Sequence, residues 1–91
     1  MTLDKLYSII TQRLKYRPTG SYIVSLTKKG EDAILQKIGE EATEVLIASK
    51  GNSKLRIIEE ISDLYFMTLI LLAYKEIPLN EIFEELERRR K

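Results

Sequence analysis

The sequence predicts an all-α fold, in which two long helices form an antiparallel hairpin within a bundle of about four helices. Apolar residues recur at helical spacing along most of the chain, and proline and glycine separate the helical stretches. The length of 91 residues is that of one domain, so we expect a single domain spanning residues 1–91.

The first predicted helix runs over Leu3–Tyr16 and carries an apolar stripe on one face. The stripe consists of Leu3, Leu6, Ile9, Ile10 and Leu14. Residues 17–21 end this helix, because the residue before Pro18 avoids helical geometry and the glycine that follows frees the turn. Residues 22–29 fit either a short helical turn or an extended loop.

The second predicted helix begins near residues 30–32 and ends at residues 50–52. Its first turn carries Glu31 and Asp32, which suit the positive end of the helix dipole. Its last turn is basic, and Gly51 is the expected C-cap. Its expected buried stripe consists of Ile34, Leu35, Ile38, Val45 and Leu46.

The third predicted helix runs from about Ser53, its expected N-cap, to Lys75, and Pro78 separates it from a last helix over residues 79–90. Its segment Leu64–Tyr74 is apolar on every face, and such a helix must be covered on all sides. Either the chain itself buries this segment, or a second copy of the chain covers the remaining face. We expect the second, and therefore a homodimer or a dimer-based oligomer.

The composition limits both the partners and the chemistry. A net charge of +1, from 15 basic and 14 acidic residues, argues against a nucleic-acid partner. The chain has neither cysteine nor histidine, which excludes disulfides, thiolate metal sites and histidine-based catalytic triads. Catalysis would have to use carboxylates, lysines, hydroxyls or a hard metal ion. The longest apolar run is shorter than the roughly 18 residues of a membrane span, so we expect a cytoplasmic protein without a membrane partner.

Two acidic motifs carry the chemical signal. The first contains Glu40, Glu41 and Glu44, and the second contains Glu60 and Asp63. Glu41 and Glu44 are three residues apart, so they lie on one face of the second helix. Glu60 and Asp63 have the same spacing on the third helix, and both pairs border an apolar stripe. Acids at the edge of a buried face point into an interface or a cleft.

The positions of these acids along the chain predict that they converge. Glu44 and Glu60 are each eight residues from Asn52, the centre of the turn between the two helices. Glu41 and Asp63 are each eleven residues from it. In an antiparallel hairpin the two residues of each pair would face each other, so four carboxylates would meet at one place.

Four converging carboxylates favour a divalent metal site. Like charges at short distance raise one another's pKa values, and a cation removes that penalty. Mg²⁺ prefers carboxylate oxygens and commonly bridges to substrate phosphates. A spare carboxylate, Glu40 or Glu41, would orient or deprotonate the attacking water in place of a histidine. The alternative is that all these acids are ordinary solvated residues of helix surfaces.

The acidic motifs resemble those of the MazG-like all-α nucleotide pyrophosphatase superfamily, in which Glu-Glu-x-x-Glu is followed by Glu-x-x-Asp. Further matches over about residues 3–90 resemble the phosphoribosyl-ATP pyrophosphatase family in particular. They are Ser21-Tyr22, Ser25-Leu26, Lys29-Gly30, Lys37-x-Gly39-Glu40-Glu41-Ala42-x-Glu44-Val45, Glu60-x-x-Asp63-Leu64, Leu71-Leu72 and Glu85-Leu86-x-x-Arg89.

The resemblance implies a MazG-like fold and Mg²⁺-dependent hydrolysis of phosphoribosyl-ATP to phosphoribosyl-AMP and pyrophosphate, a step of histidine biosynthesis, in an oligomer built on dimers. The implied metal ligands are Glu41, Glu44, Glu60 and Asp63, with Glu40 assisting. Lys29 and Lys37 are the implied phosphate contacts. Many relatives carry Tyr-His where this chain has Phe66-Met67, so a histidine cannot be essential here.

Two other functions compete with this one. A MazG-like house-cleaning pyrophosphatase of noncanonical nucleoside triphosphates would share the acidic motifs without needing Ser21-Tyr22 or Lys29-Gly30. A non-enzymatic dimerisation bundle, in which the charges only confer solubility, would show no dependence on divalent cations.

Overall fold

The computed structural model describes residues 1–91 and contains five α-helices and no β-strand. The helices are α1 (Leu3–Tyr16), α2 (Tyr22–Lys28), α3 (Glu31–Gly51), α4 (Lys54–Tyr74) and α5 (Leu79–Arg88). The all-α prediction is confirmed, and the four predicted helices match α1, α3, α4 and α5 closely. The question left open at residues 22–29 is answered by a short helix, α2. None of the five helices combines the length and the apolar character needed to cross a bilayer.

Side-chain caps determine where three of the helices begin. The hydroxyl oxygens of Thr2, Ser21 and Ser53 each accept a hydrogen bond from the backbone N–H three residues later, at 3.1, 3.4 and 3.3 Å. Each cap satisfies an N–H group that the first turn of a helix leaves without a partner. The prediction that Ser53 caps the third long helix is confirmed.

The end of α3 differs from the prediction. Gly51 is the last helical residue, and Asn52 instead adopts the left-handed conformation, with φ of 58°. Asparagine tolerates this conformation better than most residues, so the turn does not need glycine at that position. Asn52 therefore reverses the chain between α3 and α4.

The two longest helices, α3 and α4, have 21 residues each and form the predicted antiparallel hairpin. At the end opposite the turn, Lys75 Nζ lies 2.6 Å from Glu31 Oε1, which links the C-cap of α4 to the first turn of α3. α1 packs against α4, and α2 contacts both α1 and α3. The Tyr7 hydroxyl donates a hydrogen bond of 2.6 Å to the Ile77 carbonyl, which ties α1 to the segment before α5.

The core lies at the half of the hairpin that is farther from Asn52, which we call the inner half (residues 31–41 and 64–74). Its centre is formed by Ile10, Ile34 and Ile70, all fully buried. The other core residues are Ile23, Leu26, Met67, Leu69, Ala73 and Leu79. Removing this apolar surface from water is the main stabilising contribution to the fold.

The half of the hairpin near the turn, the outer half (residues 42–63), has much less cover. Its most exposed large apolar residues are Leu46, Ile47, Leu55 and Ile58, each more than half exposed. The predicted buried stripe of α3 is therefore wrong at Leu46, and also at Leu35 in the inner half, which is 45% exposed. Periodicity identified a face that can be buried, but no short helix covers these two positions.

The apolar run Leu64–Tyr74 is largely covered within the chain, and only Tyr65, Thr68 and Tyr74 are exposed. An apolar groove of about 380 Å³ remains between α4 and α5, with Tyr65 and Phe83 among its lining residues. The dimer that the sequence predicts at this run stays a prediction.

Candidate metal centre and adjoining cavity

Three of the four predicted metal ligands meet on one side of the hairpin. Carboxylate oxygens of Glu41, Glu60 and Asp63 all lie within 4.8 Å of one another. α3 contributes the first of these residues and α4 the other two, so the cluster depends on the antiparallel packing of the two helices. Glu41 and Asp63 are equally far from Asn52 along the chain, which is why their facing positions were predictable.

The fourth predicted ligand, Glu44, lies next to this group but outside the set of mutually close oxygens. Its charge still acts on the carboxylate of Glu60. Glu44 follows Glu41 by three residues, so it lies on the same face of α3, about one turn nearer to Asn52. The structure thus brings three predicted ligands together and places the fourth beside them.

Glu60 is the buried member of the cluster, with 8% of its surface exposed. Burial is the main cause that raises the pKa of its carboxyl above the usual 4.5, because it disfavours the charged form, and the neighbouring carboxylates add to this effect. Arg56 opposes the shift, since its Nη2 lies 3.4 Å from Glu60 Oε1. Sequence reasoning missed Arg56, although its spacing of four residues from Glu60 is typical of an ion pair across one helical turn.

Lys37 lies at another edge of the cluster. Its Nζ is 3.4 Å from Glu41 Oε1 and 3.6 Å from Glu40 Oε2. Desolvation lowers the pKa of Lys37, but interactions with Tyr22 and the two glutamates outweigh it and raise the pKa above 10.5. Gln36 Nε2 donates a 3.2 Å hydrogen bond to Glu40 Oε1, so the Glu40 carboxylate has both Gln36 and Lys37 as partners. Lys37 is therefore a charged group that can contact a phosphate.

A cavity of about 200 Å³ opens beside the carboxylates. Its lining residues are Tyr22, Lys37, Glu41, Asp63, Phe66 and Met67. The rings of Tyr22 and Phe66 stack with their centroids 6.4 Å apart and form an aromatic wall of the cavity. A cavity with charged groups and an aromatic wall suits a ligand that combines phosphates with a flat ring.

Comparison with known proteins agrees with this geometry. Residues 3–90 match the family described as phosphoribosyl-ATP pyrophosphohydrolase. The chain belongs to this family. It is 47% identical over 89 residues to the phosphoribosyl-ATP pyrophosphatase of Sulfolobus acidocaldarius, an alignment that covers 98% of this chain and 94% of that protein.

Two further relatives carry the same name. The protein of Saccharolobus islandicus is 44% identical over 89 residues, covering 98% of this chain and 95% of its own length. The protein of Pelobacter propionicus is 46% identical over 87 residues, covering 96% and 81%. The family predicted from the motifs, and with it the prediction of a pyrophosphohydrolase, is confirmed.

Met67 belongs to the pair Phe66-Met67, where the sequence departs from the pattern that it resembles. It lines the cavity and is 3% exposed. A thioether is only a weak hydrogen-bond acceptor and carries no proton to exchange at neutral pH. Met67 therefore cannot act as an acid or a base in this cavity.

The two lysines predicted as phosphate contacts lie in different surroundings. Lys37 lines the cavity beside the cluster, whereas Lys29 is exposed at the end of α2 and does not line that cavity. Sequence reasoning also did not assign a role to Tyr22, although the motif Ser21-Tyr22 already pointed to it.

Proposed function

We propose that the protein hydrolyses phosphoribosyl-ATP to phosphoribosyl-AMP and pyrophosphate as a step of histidine biosynthesis, and that this activity requires Mg²⁺. We also propose that the protein acts in the cytoplasm. The observation that carries the proposal is the carboxylate cluster of Glu41, Glu60 and Asp63 beside a cavity that Lys37 also lines. The names of the relatives support the choice of substrate. We further propose that the active form is a homodimer or a dimer-based oligomer.

The donor set fits Mg²⁺. Oxygens from three carboxylates on two helices lie within 4.8 Å of one another, and the group includes no nitrogen or sulfur donor. Glu44, on the same face of α3, is the proposed fourth ligand. When bound, Mg²⁺ lowers the pKa of a coordinated water and neutralises charge on the phosphates.

The residues of the chain have separate proposed tasks. Lys37 binds an oxygen of the triphosphate, because it is charged and lines the cavity. Glu40, whose side chain is 50% exposed, accepts the proton of the attacking water, with Glu41 able to orient the same molecule. The wall of Tyr22 and Phe66 packs against the nucleoside and excludes water from that side. A phosphorus–oxygen bond to the water forms, the anhydride bond breaks, and pyrophosphate leaves.

The test is an assay of pyrophosphate release from phosphoribosyl-ATP, with Mg²⁺ or with a chelator. We expect phosphoribosyl-AMP and pyrophosphate only when Mg²⁺ is present. Glu60→Gln should abolish most of the activity, whereas Glu59→Gln, which removes the same charge at an exposed neighbouring position, should retain it. Faster release from noncanonical nucleoside triphosphates would favour a house-cleaning enzyme instead, and no release from any nucleotide would leave only a binding or structural role.

A further inference from the structure

A second cleft adjoins the candidate active site through Tyr22. The cleft has a volume of about 630 Å³ and is formed by the turn between α1 and α2 together with one side of α2. Tyr22 lines both this cleft and the cavity beside the carboxylates. A ligand that fills the cavity can therefore extend past one side chain into the cleft.

The two spaces differ in charge. The cavity contains Glu41 and Asp63 as well as Lys37, so a phosphate there needs a metal ion to offset the carboxylates. The cleft is lined by two cations, Arg17 and Lys28, and by no acidic residue. Neither cation takes part in any of the seven ion pairs of the chain. The cleft can therefore bind an anion directly.

Neutral donors and the backbone add to this arrangement. Thr19 and Ser25 line the same cleft and present hydroxyl groups, which donate hydrogen bonds to phosphate oxygens. Arg17 adopts the left-handed conformation, with φ of 49°, and its N–H donates a hydrogen bond of 2.8 Å to the Arg13 carbonyl. The backbone that carries the Arg17 guanidinium is thus anchored to the end of α1.

We propose that this cleft binds the 5-phosphate on the extra ribose of phosphoribosyl-ATP, so that Arg17 and Lys28 determine specificity for this substrate over ATP. The inference rests on the proposed function, because only that substrate carries a monophosphate at one end and a triphosphate at the other. The triphosphate lies beside the carboxylates, the adenosine passes along Tyr22, and the monophosphate reaches the cleft without a metal ion.

The kinetic test compares phosphoribosyl-ATP with the same compound lacking the ribose 5-phosphate. Arg17→Ala and Lys28→Ala should each lower kcat/KM for phosphoribosyl-ATP about tenfold, mainly through KM, since each removes a charge-assisted hydrogen bond. Neither change should affect kcat/KM for the compound without the phosphate. Arg13→Ala is the matched control, because Arg13 is exposed on α1 outside the cleft and should leave both values unchanged. The charge-conserving Lys28→Arg should retain most of the parent's kcat/KM for phosphoribosyl-ATP.

A binding experiment separates failure of this proposal from failure of the proposed function. Ribose 5-phosphate, added without Mg²⁺, should shift the amide resonances of residues 17–28, and Arg17→Ala should abolish the shifts while circular dichroism remains that of the parent. Equal losses of kcat/KM on both compounds would overturn the proposal, as would the absence of ribose 5-phosphate binding. If the parent released no pyrophosphate, the proposed function would fail. Saturable binding dependent on Arg17 would then still support the anion site.

Discussion

The inner and outer halves of the α3–α4 hairpin carry similar apolar side chains in very different surroundings. In the inner half, Ile34 and Ile70 are fully buried, in a core that also contains residues of α1, α2 and α5. In the outer half, Leu46 and Leu55 are 68% and 65% exposed. The spacing of apolar residues therefore shows which face of a helix can be buried. Which part of that face is buried depends on where the shorter helices pack against the hairpin.

The carboxylate cluster lies where the two halves meet. Glu41 and Asp63 lie at the middle of α3 and α4, and Glu60 lies one turn nearer to Asn52. The core residue Met67 lines the cavity beside the cluster, whereas the helical segments toward Asn52 carry the exposed apolar side chains. A second copy of the chain that covered the outer half would bury residues of the same two helices that carry the cluster, which connects the proposed dimer to the proposed activity.

The largest expected effect tests the inner half against the outer half. Ile70→Ala should lower the free energy of unfolding by about 2–5 kcal/mol, because it leaves a cavity in the core. Leu46→Ala should change it by less than about 0.5 kcal/mol at concentrations where the chain is monomeric. Urea denaturation measures both values, and Ile70→Val, with an expected cost of about 0.5–1.5 kcal/mol, serves if the alanine variant does not fold. Equal costs at the two positions would contradict the comparison.

The next-largest expected effect is that of Mg²⁺ on stability, which tests the carboxylate cluster at the boundary between the two halves. Mg²⁺ at a hundred times its dissociation constant should stabilise the protein by about 2.7 kcal/mol and raise the Tm. Glu44→Gln should be at least as stable as the parent without metal, since it removes a repulsive charge, but should respond less to Mg²⁺ and lose turnover. Glu59→Gln should behave like the parent in all three measurements. Full activity and an unchanged Mg²⁺ response in Glu44→Gln would show that Glu44 is no ligand.

The oligomeric state in solution tests whether a second copy of the chain covers the outer half. We expect the parent to sediment as a dimer at micromolar concentration and Leu46→Lys to shift it toward monomer, because burying an unpaired charge in an apolar interface is unfavourable. Tyr16→Lys, at an exposed position at the end of α1, should leave the dimer intact. Dissociation caused only by Tyr65→Lys would place the interface on the run Leu64–Tyr74 instead, and a monomeric parent would refute the dimer altogether.

The smallest expected effect is a pH dependence at Glu60. Its carboxyl has a pKa above 4.5 in the folded protein, so the folded state binds a proton that the unfolded chain has already lost at the same pH. Without metal, this group should add stability as the pH falls from neutrality through its folded pKa toward the value of the unfolded chain. Glu60→Gln has no titrating group at this position. The Tm of the parent minus that of the variant should therefore increase as the pH falls over this range. A Tm difference independent of pH would contradict the assignment.

Much of the fold followed from local signals. The bounds of α1, the cap at Ser53 and the facing positions of Glu41 and Asp63 depend on neighbours in sequence or on helical register, which a sequence displays directly. The exposure of Leu46 was not predictable, because it depends on the absence of a packing helix.

The parts of the site that sequence reasoning missed come from segments far apart along the chain. The cavity joins Tyr22 of α2 to Phe66 of α4, and the cleft joins Arg17 to Lys28 across a turn whose helical state was open. Spacing rules describe residues on one element or on two elements of known register. They do not describe side chains that a short third helix brings into contact.

The short connection between α3 and α4 has a consequence for the order in which the molecule folds. Only Asn52 and Ser53 separate the two helices, whereas the hydrogen bond from Tyr7 to Ile77 joins residues seventy positions apart. The entropy lost on loop closure grows with loop length, so pairing of α3 with α4 should precede docking of α1. The acidic cluster then assembles within the folding nucleus, and an ion that binds it should accelerate refolding in stopped-flow experiments. An ion bound only after the last step would leave the folding rate unchanged and only slow unfolding.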